Sequence, residues 1–323
     1  MARRSSVILG VLCSVAALCA PAAFSQGYPA RPIRMVIPFP PGNPADLQAR
    51  LIGEKLSARF GQPVLADNRP GASGQIGIEA AARSAPDGYT LVVGQVGTFA
   101  VAPHVFKKLP YDVTRDFVAV SQFSSNTLVL VVSANVPVNS VQELVRLSKQ
   151  KPGAFKFGSN GEGGLPHLTM ELFRAKTGVD WLHIPYKGTT QAVTDLLSGQ
   201  IDLIFDTYGG AAPHARAGKV KMLASTGATR IAPDLPTLIE AGVPGFEVYG
   251  WFGAFAPAGT PTEIVRSLNK AINEVLSLPD VRDRLLALGL DVGGGTPEQF
   301  AATMMDSYNL WGRVVKSIGL TPQ

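Results

Sequence analysis

Cysteine is almost missing from this chain. Cys13 and Cys19 are the only two, and both fall within the first 25 residues. Those residues read as a secretory signal: Arg3 and Arg4, the apolar run VILGVLCSVAALCA, then Ala23-Phe24-Ser25 with small residues where a signal peptidase inspects the chain. Cleavage is expected after Ser25. Leu18 stands before Cys19, where a lipoprotein signal needs a small residue. The expected mature chain, from Gln26, therefore has no disulfide, no thiol nucleophile and no thiolate metal ligand. With 323 residues, 46% of them hydrophobic, it has core enough to fold without staples. An exported chain of this kind is expected in a bacterial periplasm.

Other absences narrow the function. Beyond the signal no apolar run reaches membrane-span length. Without Arg3 and Arg4 the balance is 27 basic against 24 acidic residues, scattered rather than striped with aromatics. Nucleic acid is not an expected partner. The four histidines, His104, His167, His183 and His214, show no metal-ligand spacing, so no metal is expected. There is no P-loop. Gly71, Gly74 and Gly77 are spaced G-x-x-G-x-x-G, which is not the dinucleotide fingerprint, and no cofactor is expected. Around Ser159, Phe157 occupies the place of the first glycine of a nucleophile elbow. Nothing here activates a nucleophile, so binding without turnover is the simpler account.

What is present is alternation. Strand-like runs are IRMVIPF, PVLAD, TLVVGQV, FVAVSQF, LVLVVS, FKFGS, WLHIPY, IDLIFD and VKMLAST. Helical patterns are ADLQARLIGEKLSARF, GIEAAARSA, VQELVRLSKQ, LPHLTMELFRAKTG, TQAVTDLLSGQ, PTEIVRSLNKAINEVLS, PDVRDRLLALG and PEQFAATMMDSYNLWGRVVKSIG. This predicts an α/β fold with helix-flanked, mostly parallel sheets. The strand–helix rhythm restarts near Asn126, and the tail after Gly250 reads mainly as helices that need a sheet to cover. The expected organisation is a signal over 1–25, a discontinuous first domain over 26–125 plus 248–323, and a second domain over 126–247. A ligand cleft lies between the two lobes.

In such sheets ligands sit beyond strand carboxyl ends, where helix N-termini offer N–H groups and partial positive charge. Four loops have that position. In PFPPGNPAD the prolines fix the backbone and Gly42 admits a ligand; Asn43 and Asp46 are suited to cap the helix. The loop ADNRPGASGQIG reads as a tight turn with close helix packing. In FGSNGEGGLPHL, Ser159, Asn160 and the N–H groups near Gly163 and Gly164 are placed to hold a carboxylate. Glu162 fits that role only if it points to solvent, and His167 reads as a packing residue. In HIPYKGTTQ, Tyr186 offers a ring and hydroxyl, and Gly188 and Thr189 donors; Lys187 could attract an anion but reads better as a solvated lysine. Asp206 either accepts from a ligand or caps the next turn.

Together these segments resemble a known family. YPARPIRMVIPFPPGNPADLQAR, ADNRPGASGQIGIEAAARSAPDGYTLVVG, LPHLTMELF, HIPYKGTTQAVTDLLSGQIDLIFD and LPTLIEAGVPGFEVYGWFGAFAPAGTP follow in the order of the tripartite tricarboxylate transporter receptors, the Bug or TctC family. The resemblance spans essentially the whole chain after the signal. It implies a two-lobed, Venus-flytrap receptor of the periplasmic-binding-protein fold. Such a receptor captures a small organic carboxylate and delivers it to a membrane permease, here expected to act as a monomer. It implies a ligand site drawn from Phe39, Pro41, Gly42, Asn43, Asp46, Ser159, Asn160, Gly163, Tyr186, Gly188, Thr189 and Asp206. Asn43 and Glu162 depart from the family pattern: Asn43 stands for a second glycine, where it touches the ligand, narrows the cleft, or takes a left-handed backbone. Of the aromatic candidates Phe39, Tyr186, Phe205, Tyr208 and Trp251, Tyr186 is the favoured cleft residue. The competing readings are a sensory module that presents ligand to a membrane kinase, and an exported hydrolase.

Overall fold

The computed structural model describes residues 27–186 and 188–320. The signal sequence and the side chain of Lys187 lie outside those residues. The chain divides into a short unit, Met1–Ala30, and a main unit, Arg31–Gln323, to which everything below belongs.

The first strand, β1 (Ile33–Ile37), is apolar and buried apart from Arg34, and a parallel strand pairs each of its edges. α1 (Pro44–Phe60) begins where the Asn43 side chain accepts from Ala45 N–H at 2.9 Å, and it stops at Gly61, whose φ is 63°. β2 (Val64–Asn68), α2 (Gln75–Ala82) and β3 (Thr90–Gln95) complete this parallel group. Two short helical turns, Gly97–Val101 and Ala102–Val105, lead towards β4 (Phe117–Ser133). A second alternation follows: α3 (Val141–Gln150), β5 (Phe155–Ser159), α4 (Leu165–Thr177), β6 (Trp181–Pro185), α5 (Thr189–Ser198), β7 (Leu203–Thr207), α6 (Tyr208–Arg216) and β8 (Val220–Ser225). The chain ends with β9 (Tyr249–Pro257), α7 (Thr262–Leu276), α8 (Pro279–Ala287), β10 (Asp291–Val292) and α9 (Pro297–Ser317).

The strand order is β2-β1-β3-β9-β4-β7-β5-β6, with β8 and β10 also pairing β4. β4 is the shared member. Its first part, Phe117–Thr127, pairs antiparallel with β9; from Leu128 onward it pairs antiparallel with β7 and β8. One half therefore carries parallel β2, β1 and β3, the other parallel β7, β5 and β6, and the result is a two-lobed α/β fold.

Three sequence expectations need correction. FVAVSQF and LVLVVS are one strand, because the polar stretch between them stays extended and buried: Ser124 is 0% exposed and its hydroxyl donates to Gln48 Oε1. The tail is not mainly helical at its start, since β9 lies centrally between β3 and β4. Its glycines hide the strand pattern. Gly253 is required there because a Cβ would come 2.3 Å from the Phe300 ring and 2.6 Å from the Ser121 carbonyl oxygen. α6 was also not expected; Gly209, Gly210 and Pro213 lower its helix propensity, and Thr207 rescues it by capping Gly210 N–H at 3.2 Å.

The second crossing between the halves runs from β8 to β9, and Thr226 ties it to the first. Its N–H donates to Leu128 O at 2.8 Å, and its Oγ1 accepts from Leu128 N–H at 3.0 Å while donating to Val248 O at 2.7 Å. Val248 N–H returns to Thr226 O at 3.0 Å, and Thr226 is fully buried. Thr226→Val preserves the shape but strips buried polar groups of partners, and it is expected to cost about 2–3 kcal/mol in urea unfolding. A loss below about 1 kcal/mol would deny this hydroxyl a structural role.

Candidate functional site

The crossing of β4 from one half to the other sits beside a cleft. Two cavities, of about 570 and 250 Å³, share Gln95, Gly97, Asn160 and Gly164 in their walls. The outer one is walled by Pro38, Phe39 and Pro40 after β1, by Ser73 and Gly74 before α2, by Val105 and Phe106, and by Glu162 and Gly163 after β5. The inner one is lined by Asn126 and Leu128 midway along β4, the start of α4, Thr189 at the start of α5, Asp206 near the end of β7, and Gly250 to Phe252 of β9. Both halves contribute, and the volumes suit a small molecule.

Of the expected site residues, Phe39, Asn160, Gly163, Thr189 and Asp206 line this cleft. Pro41, Gly42, Asn43, Asp46, Ser159, Tyr186 and Gly188 are not among its lining residues, and most are occupied otherwise. Asn43 is extended (φ −68°, ψ 151°), not left-handed, and its side chain caps α1. Asp46 is 2% exposed and braces the loop: it accepts from Gly42 N–H, Arg50 Nε and Asn68 Nδ2, each at 2.9 Å. Burial pushes that carboxyl's pKa up, but the hydrogen bonds outweigh it and hold it below the usual value. The Tyr186 hydroxyl donates to Asp195 at 2.7 Å, and its ring packs on the apolar cluster around Ile204. Burial and Asp195 raise that hydroxyl to about 12. Gly188 is extended backbone before α5.

The loop after β5 is held from beneath. Ser159 Oγ meets His183 Nε2 at 2.7 Å, His183 stacks on His167 with ring centroids 4.0 Å apart, and His167 Nδ1 accepts from Gly163 N–H at 3.0 Å. Burial holds both imidazoles down to about 4, which keeps them neutral and keeps His167 Nδ1 an acceptor. His167 is thus the packing residue the sequence suggested. The N–H groups of Gly163 and Gly164 are not free for a carboxylate, since the second donates to Gly161 O at 3.3 Å.

Sequence reasoning missed the polar groups that do face the inner cavity. Asn126 is 8% exposed and its side chain has no hydrogen-bond partner among the described residues. Its amide lies over Gly250, where a Cβ would come 2.2 Å from Oδ1. Gln95 and Trp251 also line the cavity; the Trp251 indole N–H is taken by Ser307 Oγ at 3.0 Å, leaving its ring. The available signal was Asn126 itself, a polar residue before the apolar run LVLVV of a buried strand. Phe205 belongs to the core, and Tyr208 faces a different groove beside Val220. Asp206 is 7% exposed; its Oδ1 accepts from Thr207 N–H at 2.8 Å. Burial raises its carboxyl to about 6 despite Thr207 N–H and His214.

Asp206 therefore binds its proton more tightly folded than unfolded, so its contribution to stability falls as pH rises from about 4 to about 6. His167 and His183 act oppositely over an overlapping range, because their folded pKa is depressed. Comparing Asp206→Asn with the unaltered protein cancels the histidines. The variant is expected to match it near pH 4 and to exceed it by about 3 kcal/mol at pH 7 in urea unfolding; an equal difference at both pH values would contradict the burial argument.

Residues 48–320 match the family model described as "Tripartite tricarboxylate transporter family receptor". The chain is 37% identical over 319 residues to Protein BugT of Bordetella pertussis, covering 98% of each. Its structure is similar to that of R. palustris Rpa4515 with adipate (TM-score 0.78, 36% identity, 92% of this chain and 100% of that one). It is also similar to MatC of Rhodopseudomonas palustris with bound malate (TM-score 0.73, 34% identity, 89% and 100%). The chain belongs to the tripartite tricarboxylate transporter receptors, a family of periplasmic solute-binding proteins and not of enzymes.

Proposed function

We propose that this protein is a periplasmic receptor that captures a small organic carboxylate in the cleft and delivers it to a tripartite-type membrane permease. The observation that carries the reading is the Asn126 side chain, which lines the inner wall and has no hydrogen-bond partner among the described residues. Its amide offers a ligand one acceptor oxygen and two donor hydrogens at a fixed place in that wall. α4 and α5 both begin at the inner cavity without a side-chain cap, so their first-turn N–H groups add positive potential. Adipate and malate in two similar structures are consistent with a carboxylate.

In this reading, export uses the signal over 1–25, and the lobes are 26–125 with 248–323, and 126–247. Closure bends β4 and the β8–β9 crossing and brings the Glu162 loop towards Phe39. The ligand drives closure only by binding the closed form more tightly.

The test is a thermal-shift screen of the mature protein, unfolded and refolded to remove any carried-over ligand, against carboxylates and their amides. One acid is expected to stabilise it, by about 2.7 kcal/mol at a hundredfold excess over its Kd, while its amide does not. Asn126→Ala is expected to weaken that acid about tenfold or more. Stabilisation by the amide as strong as by the acid would refute the carboxylate reading.

A further inference from the structure

The halves are joined by β4 and by the β8–β9 crossing, and that crossing runs along one edge of β4 only. Ser125 of β4 lies opposite both Trp251 of β9 and Asp291 of β10, so these two strands hold opposite edges. Further along, Val129 lies opposite both Ser225 of β8 and Asp206 of β7. Thr226 links β8 to β9 along the first edge. β7 and β10 therefore share the second edge. The last residue of β7, Thr207, stands opposite Leu128, and the first of β10, Asp291, opposite Ser125, so only Asn126 and Thr127 separate their pairing positions.

The chain leaving β7 and the chain entering β10 meet across that gap. Gly209, in the first turn of α6, packs backbone to backbone on Gly289, in the turn after α8. A Cβ on Gly209 would lie 3.2 Å from Gly289 Cα, and one on Gly289 would lie 3.4 Å from Gly209 Cα. Gly289 has a φ of 74° just past the end of α8, so its own backbone calls for glycine. Gly209 has no such need: its φ is not positive, and a glycine inside a helix is a poor helix former. What glycine provides at 209 is the close approach to Gly289. The contact adjoins the cleft, since Asp206 and Thr207, just before it in the chain, line the inner cavity.

We propose that the Gly209–Gly289 contact is a bearing surface between the lobes, and that Gly209 is a positioning residue for closure: without a side chain, it lets the second edge of β4 close up while β4 and the β8–β9 crossing bend. This rests on the receptor reading above, in which Gly289 belongs to the first lobe and Gly209 to the second. A side chain at 209 acts as a wedge. It shifts the lobes towards the open form without touching a bound molecule, and affinity falls by the share of closed form that it removes.

The expected mature chain has no cysteine, so paired spin labels test this directly. They are placed at Lys107→Cys, beside Phe106 of the outer cavity, and Thr190→Cys, beside Thr189 of the inner one; both positions are exposed and belong to different lobes. Label separation is measured in refolded protein alone and with adipate, malate and the acids of the screen above, in the labelled protein, Gly209→Ala and Gly209→Phe. At least one acid is expected to shorten the separation when Gly209 is present. Gly209→Phe is expected to keep the long separation and bind that acid about tenfold or more weakly, with an unchanged urea midpoint, and Gly209→Ala to lose about threefold. Should Gly209→Phe not fold, Gly209→Ala decides by the same readouts. An acid that shortens the separation and binds within about twofold in the variants overturns the proposal and leaves the receptor reading standing. So does affinity lost in step with the urea midpoint while the separations stay as they were, since Gly209 is then only structural. No change of separation with any acid counts against both readings.

Discussion

β4 has to belong to two sheets at once, and the rest of the architecture follows from that demand. A strand that changes partners leaves backbone groups unpaired at the changeover unless something intervenes. Here the intervening group is Thr226. It takes both backbone groups of Leu128 and then passes a hydrogen bond to Val248 on the return crossing. The two halves are therefore joined by paired backbone, not by loose linkers. The same changeover creates the cleft. Asn126 lies just before it, opposite Gly250 in β9, and Leu128 just after it, opposite Thr207 in β7. A molecule against Asn126 touches the strand that both halves share, so its binding and the relative position of the halves are coupled by geometry.

The loops around that strand separate support from contact. In the loop after β1, Asp46 and Asn43 spend their side chains on fixing the backbone, while Phe39 and its flanking prolines face the cavity. In the loop after β5, Ser159, His183 and His167 form a neutral layer under Asn160 and Gly163. Both loops are braced from beneath by these bonds. Stiffness of this kind reduces the ordering cost of binding.

The division between support and contact is also what the amino-acid sequence concealed. The α/β alternation, the parallel groups and the loops that carry the cleft were legible, because strand and helix periodicities are local. The positions of Phe39, Asn160 and Asp206 were legible too, since they end strands. What was not legible was which polar side chain of a loop turns inward to brace and which turns outward. Asn43 as a helix cap and Asn43 as a ligand donor have identical local sequence. Tyr186 was favoured for its ring and hydroxyl, but Asp195, nine residues on and one helical element away, claims the hydroxyl. Asn126 is not legible because its neighbours in the chain read as a gap between strands, whereas the strand runs straight through it.

That last misreading points to a general feature of this fold. A polar residue in the interior of a buried strand is costly unless something partners it. Ser124 has Gln48. The Asn126 side chain has no hydrogen-bond partner among the described residues, and Gly250 leaves room beside it. Folding leaves that amide with unmet hydrogen-bonding capacity, and the cleft is where it can be met.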